Sequence, residues 1–158
     1  MKKKNYPLYE VKSFGDFREL LSSAAAEAGQ KTAFRFEEGE ESASVSYAAL
    51  FEDVTALGSA LTMAGLLGAH TAVWAKNGYP YITAMLTVLA SPGVFLPIDA
   101  EMPVSDGMEI LRSGDTRVVF LDREIYDANR KTLARLETVK RFIVFDLPEE
   151  EAEGRFLS

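Results

Sequence analysis

No cysteine occurs among the 158 residues of this chain, which excludes disulfide frameworks, cysteine-ligated zinc, iron-sulfur clusters and a thiol nucleophile within it. A cysteine-free chain also fits a reducing compartment. Positive charge is short: 17 Lys and Arg stand against 24 Asp and Glu, a formal net charge of -7. That balance repels phosphate backbones and anionic headgroups, so neither nucleic acid nor a membrane surface is expected as a partner. Long apolar runs are missing too. The longest, Tyr79 to Leu89, falls well below the roughly 20 residues of a bilayer-spanning helix, and no membrane span is expected. Met1-Lys2-Lys3-Lys4 looks like the charged lead of a signal peptide, but Asn5, Pro7, Glu10, Lys12 and Asp16 break any apolar run behind it. The expected location is cytoplasmic. The sharpest absence is of glycine-rich phosphate loops, since neither Gly-x-Gly-x-x-Gly nor Gly-x-x-x-x-Gly-Lys-Ser/Thr occurs.

What is present is apolar content of 47%, enough for one sizeable α/β core. Asp16 and Gly29 bracket a helical pattern of Phe17, Leu20, Leu21 and Ala24. Two β-type runs, Thr32 to Glu37 and Ser42 to Ser46, flank Glu38-Gly39-Glu40-Glu41 and predict a hairpin. Ser46 then caps an amphipathic helix carrying Leu50, Val54, Leu57 and Leu61 and ending at Gly65. From Thr71 on, short apolar runs recur near Thr71, Val94, Arg117 and Arg141, a spacing that leaves room for a crossover helix between parallel strands. The runs Ala72-Val73-Trp74, Val94-Phe95-Leu96, Val118 to Leu121 and Phe142 to Phe145 do not alternate, so burial on both faces is expected. The expected fold class is α/β: a mainly parallel, doubly wound sheet with helices on both faces, plus an N-terminal helix and β-hairpin. Residues 1–146 form that unit. Residues 147–158 open with a proline and four glutamates and read as an acidic linker or the start of a further segment.

Open α/β sheets bind ligands beyond the carboxyl ends of their strands, so the loops there are the places to search. Lys76-Asn77-Gly78 follows the Thr71 run and offers an ammonium, an amide and backbone N–H groups to an anion, although Asn77 also suits a helix cap. Asp99, in Pro97-Ile98-Asp99, could hold a hydroxyl or a metal-bound water, or close a turn. Lys76, Asn77 and Asp99 are the cofactor-binding candidates. His70, the only histidine, stands ahead of a strand with no serine placed beside it, which favours a turn or surface role. The cluster Glu37-Glu38-Glu40-Glu41 lacks the spacing of a calcium loop and reads as a solvated turn. Met63, Met85, Met102 and Met108 read as core filler. No catalytic residue and no metal ligand is assigned.

Taken together, Val45-Ser46-Tyr47-Ala48-Ala49-Leu50, Leu61-Thr62-Met63-Ala64-Gly65-Leu66-Leu67-Gly68, Ala75-Lys76-Asn77 before Tyr79, and Val88-Leu89-Ala90-Ser91-Pro92-Gly93-Val94-Phe95-Leu96-Pro97-Ile98-Asp99 resemble the opening of the adenylate-forming superfamily, which holds acyl-CoA synthetases, peptide-synthetase adenylation domains and luciferases. Pro103, Ile110-Leu111, Ser113-Gly114-Asp115 and Val118-Val119-Phe120 continue the likeness. Ala49, Ala69-His70 and Pro92 depart from the usual residues at positions that set caps and turns. The resemblance implies an ATP-dependent, AMP-forming acid-thiol ligase. A carboxylic acid, a fatty acid for example, attacks the α-phosphate of ATP with magnesium assisting, and a thiol of CoA or of carrier-bound phosphopantetheine then displaces AMP. The family's triphosphate loop, acyl pocket and mobile lysine lie beyond the region matched, so this stretch is expected to be inactive alone, with the remainder of the polypeptide as its partner and no cofactor of its own. The alternative is a freestanding, non-catalytic α/β module that binds a small ligand or a protein.

Overall fold

The computed structural model describes residues 11–38 and 41–158. The lysine-rich lead and the turn residues Gly39 and Glu40 lie outside the described residues. Asp16 caps α1 (Phe17–Ala28) by accepting the Glu19 N–H at 2.8 Å, and the Glu19 carboxylate returns to the Gly15 N–H at 2.7 Å. The first bond satisfies a donor that a helix start leaves orphaned, and the second ties down the residue before the cap. Strands β1 (Thr32–Glu38) and β2 (Glu41–Ser46) pair antiparallel, with Phe36 opposite Ala43. Ser46 then accepts the Ala49 N–H to start α2 (Tyr47–Met63). Gly65 ends that helix at φ +67, a conformation glycine adopts without strain.

The rest alternates strand and helix: β3 (His70–Trp74), α3 (Tyr79–Leu89), β4 (Val94–Ile98), α4 (Val104–Ser113), β5 (Val118–Leu121), α5 (Arg123–Leu133), β6 (Arg141–Val144) and β7 (Phe156–Leu157). All five of these strands are parallel, in the order β4-β3-β5-β6-β7. Helices cover both faces. Leu61 of α2 and Ala84 of α3 pack on Val73, Val118 and Phe120, whereas Met108 and Leu111 of α4 and Tyr126 and Leu133 of α5 pack on Trp74, Val119 and Leu121. A third cluster, Leu21, Leu50 and Val54, takes Phe34 and Val45 of the hairpin, which ties α1 and the hairpin to α2.

Three expectations need correction. β4 is not buried on both faces: Val94 is 46% exposed, because β4 is a sheet edge and only Ile98 at its end is buried. Met63 is no core filler but 85% exposed, at the last turn of α2, while Met108 is buried and Met102 packs against the core. The acidic tail also contributes to the core at both ends, since Leu147 and Phe156 are buried. Phe156 stacks on Phe142 at 4.8 Å and tilts against Tyr126 at 5.1 Å. Between them the tail is tied to α5 and the loop after it: Arg123 reaches Glu151 at 2.6 Å, Arg130 pairs with Glu153, and Arg155 donates to the carbonyls of Ala134, Leu136 and Val139.

One buried contact sets the distance of α4 from the sheet. Trp74 is fully buried, and a Cβ placed on Gly107 would stand 2.4 Å from its Cη2 atom. Elsewhere in a helix, glycine to alanine is favourable by about 1 kcal/mol. Here the added methyl collides with an indole that has no room to move, and overpacking of this kind costs about 1–3 kcal/mol. Gly107→Ala should therefore lower the urea midpoint despite its higher helix propensity, and a raised midpoint would show the indole free to shift.

Candidate functional site

In the order β4-β3-β5 the chain reverses direction of travel: from β3 it crosses by α3 on one face to β4, then returns by α4 on the other face to β5. The crevice at the carboxyl ends of β3 and β5 is the switch point where such sheets take ligands. Trp74 is in register with Leu121, so Ala75-Lys76 leaves β3 beside Asp122. The adjoining groove, with a volume of about 480 Å³, runs from Lys76 and Asn77 past Tyr81 to Asp99 and Glu101. All three candidates named from the sequence, Lys76, Asn77 and Asp99, line it.

Their local roles differ. The Lys76 backbone N–H donates to Asp122 Oδ2 at 2.7 Å, and its ammonium pairs with Glu124 Oε2 at 2.6 Å. Glu124 foremost, by hydrogen bond and charge, with Asp122 and Glu101 adding to it, holds the Lys76 ammonium above its ordinary pKa and thus protonated. Asn77 does not cap α3. The cap position falls to Gly78, whose extended backbone supplies no side-chain bond, and Pro80 near the helix start removes one N–H from need. Asp99 closes its turn, its Oδ1 accepting the Glu101 N–H at 2.9 Å. Among the described residues lining these strand ends, Lys76 is the cation against Asp99, Glu101, Asp122 and Glu124, so the local field is negative. Among the described residues no cluster of three or more His, Asp or Glu side chains is arranged to hold a metal.

His70 sits at the opposite end of β3, where its Nδ1 lies 2.8 Å from the Gly114 carbonyl; Nδ1–H must be the donor, and the ring joins β3 to the end of α4. Its role is structural. Asp122 and Glu124 were missed from the sequence. The available signal was position: Asp122 directly follows the last residue of β5 and Lys76 stands two residues past the last of β3, so both open onto the same strand ends. Tyr79, just past Asn77, was also missed as a tether. Its ring stacks on Phe36 of the hairpin at 5.5 Å with a 5° interplanar angle, and its hydroxyl donates to Asp53 at 2.6 Å. Burial, then the Asp53 carboxylate, push the phenol up to about 12.

Two outcomes follow. Asp122→Ala should cost about 1 kcal/mol by urea unfolding, because the Lys76 N–H loses its acceptor, and Asp122→Asn should cost less. Lys76→Met should leave the midpoint unchanged; an equal loss would make the ion pair the stabilising element. For Tyr79 the folded pKa lies above the ordinary value of 10.0, so its contribution is complete below pH 10 and is lost as pH rises through about 12. An absorbance titration should show one tyrosine ionising late, and Tyr79→Phe should remove that step; a step that persists would belong to another phenol.

The structure resembles solved ligases. Coronafacic acid ligase from Pectobacterium brasiliense matches with a TM-score of 0.80 at 14% identity, over 90% of this chain and 28% of that one. An anthranilate CoA ligase in complex with anthranoyl-AMP matches with a TM-score of 0.75 at 16% identity, over 100% of this chain and 28% of that one. The chain thus spans little more than a quarter of the length of each. A search of curated protein sequences gives no match. The family model for the AMP-binding enzyme matches residues 21–157, nearly the whole sheet and its helices, and the chain belongs to the AMP-binding enzyme family.

Proposed function

We propose that this chain is the N-terminal scaffold of an ATP-dependent, AMP-forming acid-thiol ligase of the acyl-CoA synthetase type, working in the cytoplasm, and that it performs no chemistry alone. In the whole enzyme a carboxylic acid, a fatty acid among the candidates, would be joined to AMP and then passed to the thiol of CoA or of a carrier's phosphopantetheine. ATP and magnesium would be held mainly by the remainder of the polypeptide. The observation that carries this reading is the closed switch point. The crevice where a doubly wound sheet takes a nucleotide is bridged within this chain by Lys76, Asp122 and Glu124 and bordered by Asp99 and Glu101.

A magnesium-bound triphosphate does not fit that residue set. One ammonium already paired to a carboxylate meets a polyphosphate as a weak, salt-screened charge, and four nearby carboxylates oppose it. Adenylation requires the phosphates gripped, their charge offset and the acid aligned at once, and no step through ATP can be built from these residues. Lys76, Asn77 and Asp99 are proposed as one wall of a cofactor site whose anion-binding groups come from elsewhere in the polypeptide.

The test is calorimetric titration with Mg-ATP, run beside a pyrophosphate-release assay over short, long and aromatic acids. ATP affinity should be millimolar or weaker, no better than about -4 kcal/mol, with no release. Micromolar binding, or turnover that vanishes in Lys76→Ala, would mean that a complete nucleotide site is present and that the scaffold reading is wrong.

A further inference from the structure

A second cavity lies away from the carboxyl ends of the strands. It occupies the junction of α1, α2 and α3, near where α2 and α3 end and the chain turns toward the amino ends of β3 and β4. Its volume is about 150 Å³, the size at which an enclosed apolar site accepts a benzene ring. Leu21 and Val54, both buried, and the partly buried Phe51 supply its apolar wall.

Two features give the cavity a chemistry. The first is Gly58, inside α2. Unlike Gly107, it is not forced by packing: a Cβ there would meet nothing nearer than Thr87 Cγ2 at 3.7 Å, ordinary contact. A helix-interior glycine is unfavourable relative to alanine, and its effect here is to leave the cavity open. The second is the state of the hydroxyls. Thr55, Ser59 and Thr62 donate to the carbonyls of Phe51, Thr55 and Gly58 at 2.7, 2.8 and 2.7 Å, and Thr87 and Ser91 donate to Thr83 and Val88 at 2.8 Å each. Every hydroxyl proton in the lining is therefore already committed. The remaining side-chain donor is the Arg18 guanidinium, which makes no ion pair or side-chain hydrogen bond among the described residues.

We propose that this cavity binds a small carboxylate with an apolar body of about six carbons, the body against Leu21, Phe51 and Val54 and the carboxylate on Arg18. A neutral head gains no hydroxyl donor and only a weaker bond to Arg18, and a cationic head meets the Arg18 charge, so an anionic acceptor is the head group that gains most here. The site is separate from the Lys76 groove and stands whether or not the ligase reading holds.

The test uses the chain itself and amide-resolved NMR titration with benzoate, with benzyl alcohol as the neutral partner of equal size. Benzoate should shift the amides of Arg18, Gly58, Ser59 and Ser91 and leave those of the groove residues Lys76, Asn77 and Asp99 unmoved. Arg18→Gln, at an exposed position, should weaken benzoate about tenfold while changing benzyl alcohol by less than about twofold. Gly58→Leu, which fills the space, should abolish both. Where Gly58→Leu fails to fold, the Arg18→Gln comparison decides alone. The proposal is overturned by no shifts at about 10 mM benzoate, by shifts centred on the Lys76 groove, or by Arg18→Gln binding benzoate as the parent does. Each of these results is independent of ATP binding and of pyrophosphate release.

Discussion

Strand β3 is hydrogen-bonded on both sides and buried on both faces, and most of the remaining geometry depends on it. Its residues from Thr71 to Trp74 pair with β4 on one side and β5 on the other, and all are buried. A strand so placed cannot slip by one residue, because the shift would exchange Val73 for Trp74 between two cores of different shape. The Trp74 indole then sets how close α4 can come, which only Gly107 permits. Its Nε1 has no hydrogen-bond partner, a cost of about 1–3 kcal/mol that the packing of the ring must exceed. Because register is fixed, Ala75-Lys76 emerges beside Asp122 and the chemistry of the switch point is decided.

That chemistry is electrostatic closure. Lys76 is the one cation lining the groove among the described residues, and bonds to Asp122 after β5 and to Glu124 in the first turn of α5 hold its backbone and its ammonium. Each exposed ion pair contributes little by itself, but here the backbone bond orients the residue and the ammonium follows. A loop so tied presents carboxylates outward. In a chain of net charge -7 these carboxylates add to an overall negative field, which opposes an anionic ligand at the crevice. The far edge of the sheet uses charge differently. There Arg123, Arg130 and Arg155 secure the acidic tail to α5 and the loop after it, and they bring Phe156 onto Phe142. The same glutamates that look like a solvated linker in the sequence are the handles by which β7 is docked.

What could be read from the sequence were features whose cause is local. Asp16 and Ser46 cap because a short oxygen-bearing side chain satisfies nearby N–H groups whatever lies further away. The β-α alternation follows from period and spacing. What could not be read depends on partners distant in the chain. Nothing in Val94-Phe95-Leu96 tells that β4 is an edge, since an edge is defined by what fails to lie beside it. Nothing in Leu147 or Phe156 reveals burial until Arg155 is seen bonding carbonyls 16 to 21 residues earlier. For the site, strand-end reasoning brought Lys76, Asn77 and Asp99 to one groove. It missed Asp122 and Glu124 because their effect lies in pairing with Lys76 across 46 and 48 residues, and it gave Asn77 a capping role that Gly78 takes instead.

An identity of 14% with a TM-score of 0.80 shows how little of this architecture rests on particular side chains. Apolar residues at the right period, caps at the right ends and small residues where elements touch suffice to specify layers and order, and many sequences meet those terms. Function asks for more, because a charge or a donor acts only at one place and in one protonation state. Likeness of fold therefore speaks for the scaffold and assigns no role to a side chain in the groove. There, Lys76 bound to Asp122 and Glu124 is a property of this sequence, and it has to be argued from these residues alone. The same holds at the α1-α2-α3 junction, where Gly58 and Arg18 give a cavity whose width and sign the fold by itself does not dictate.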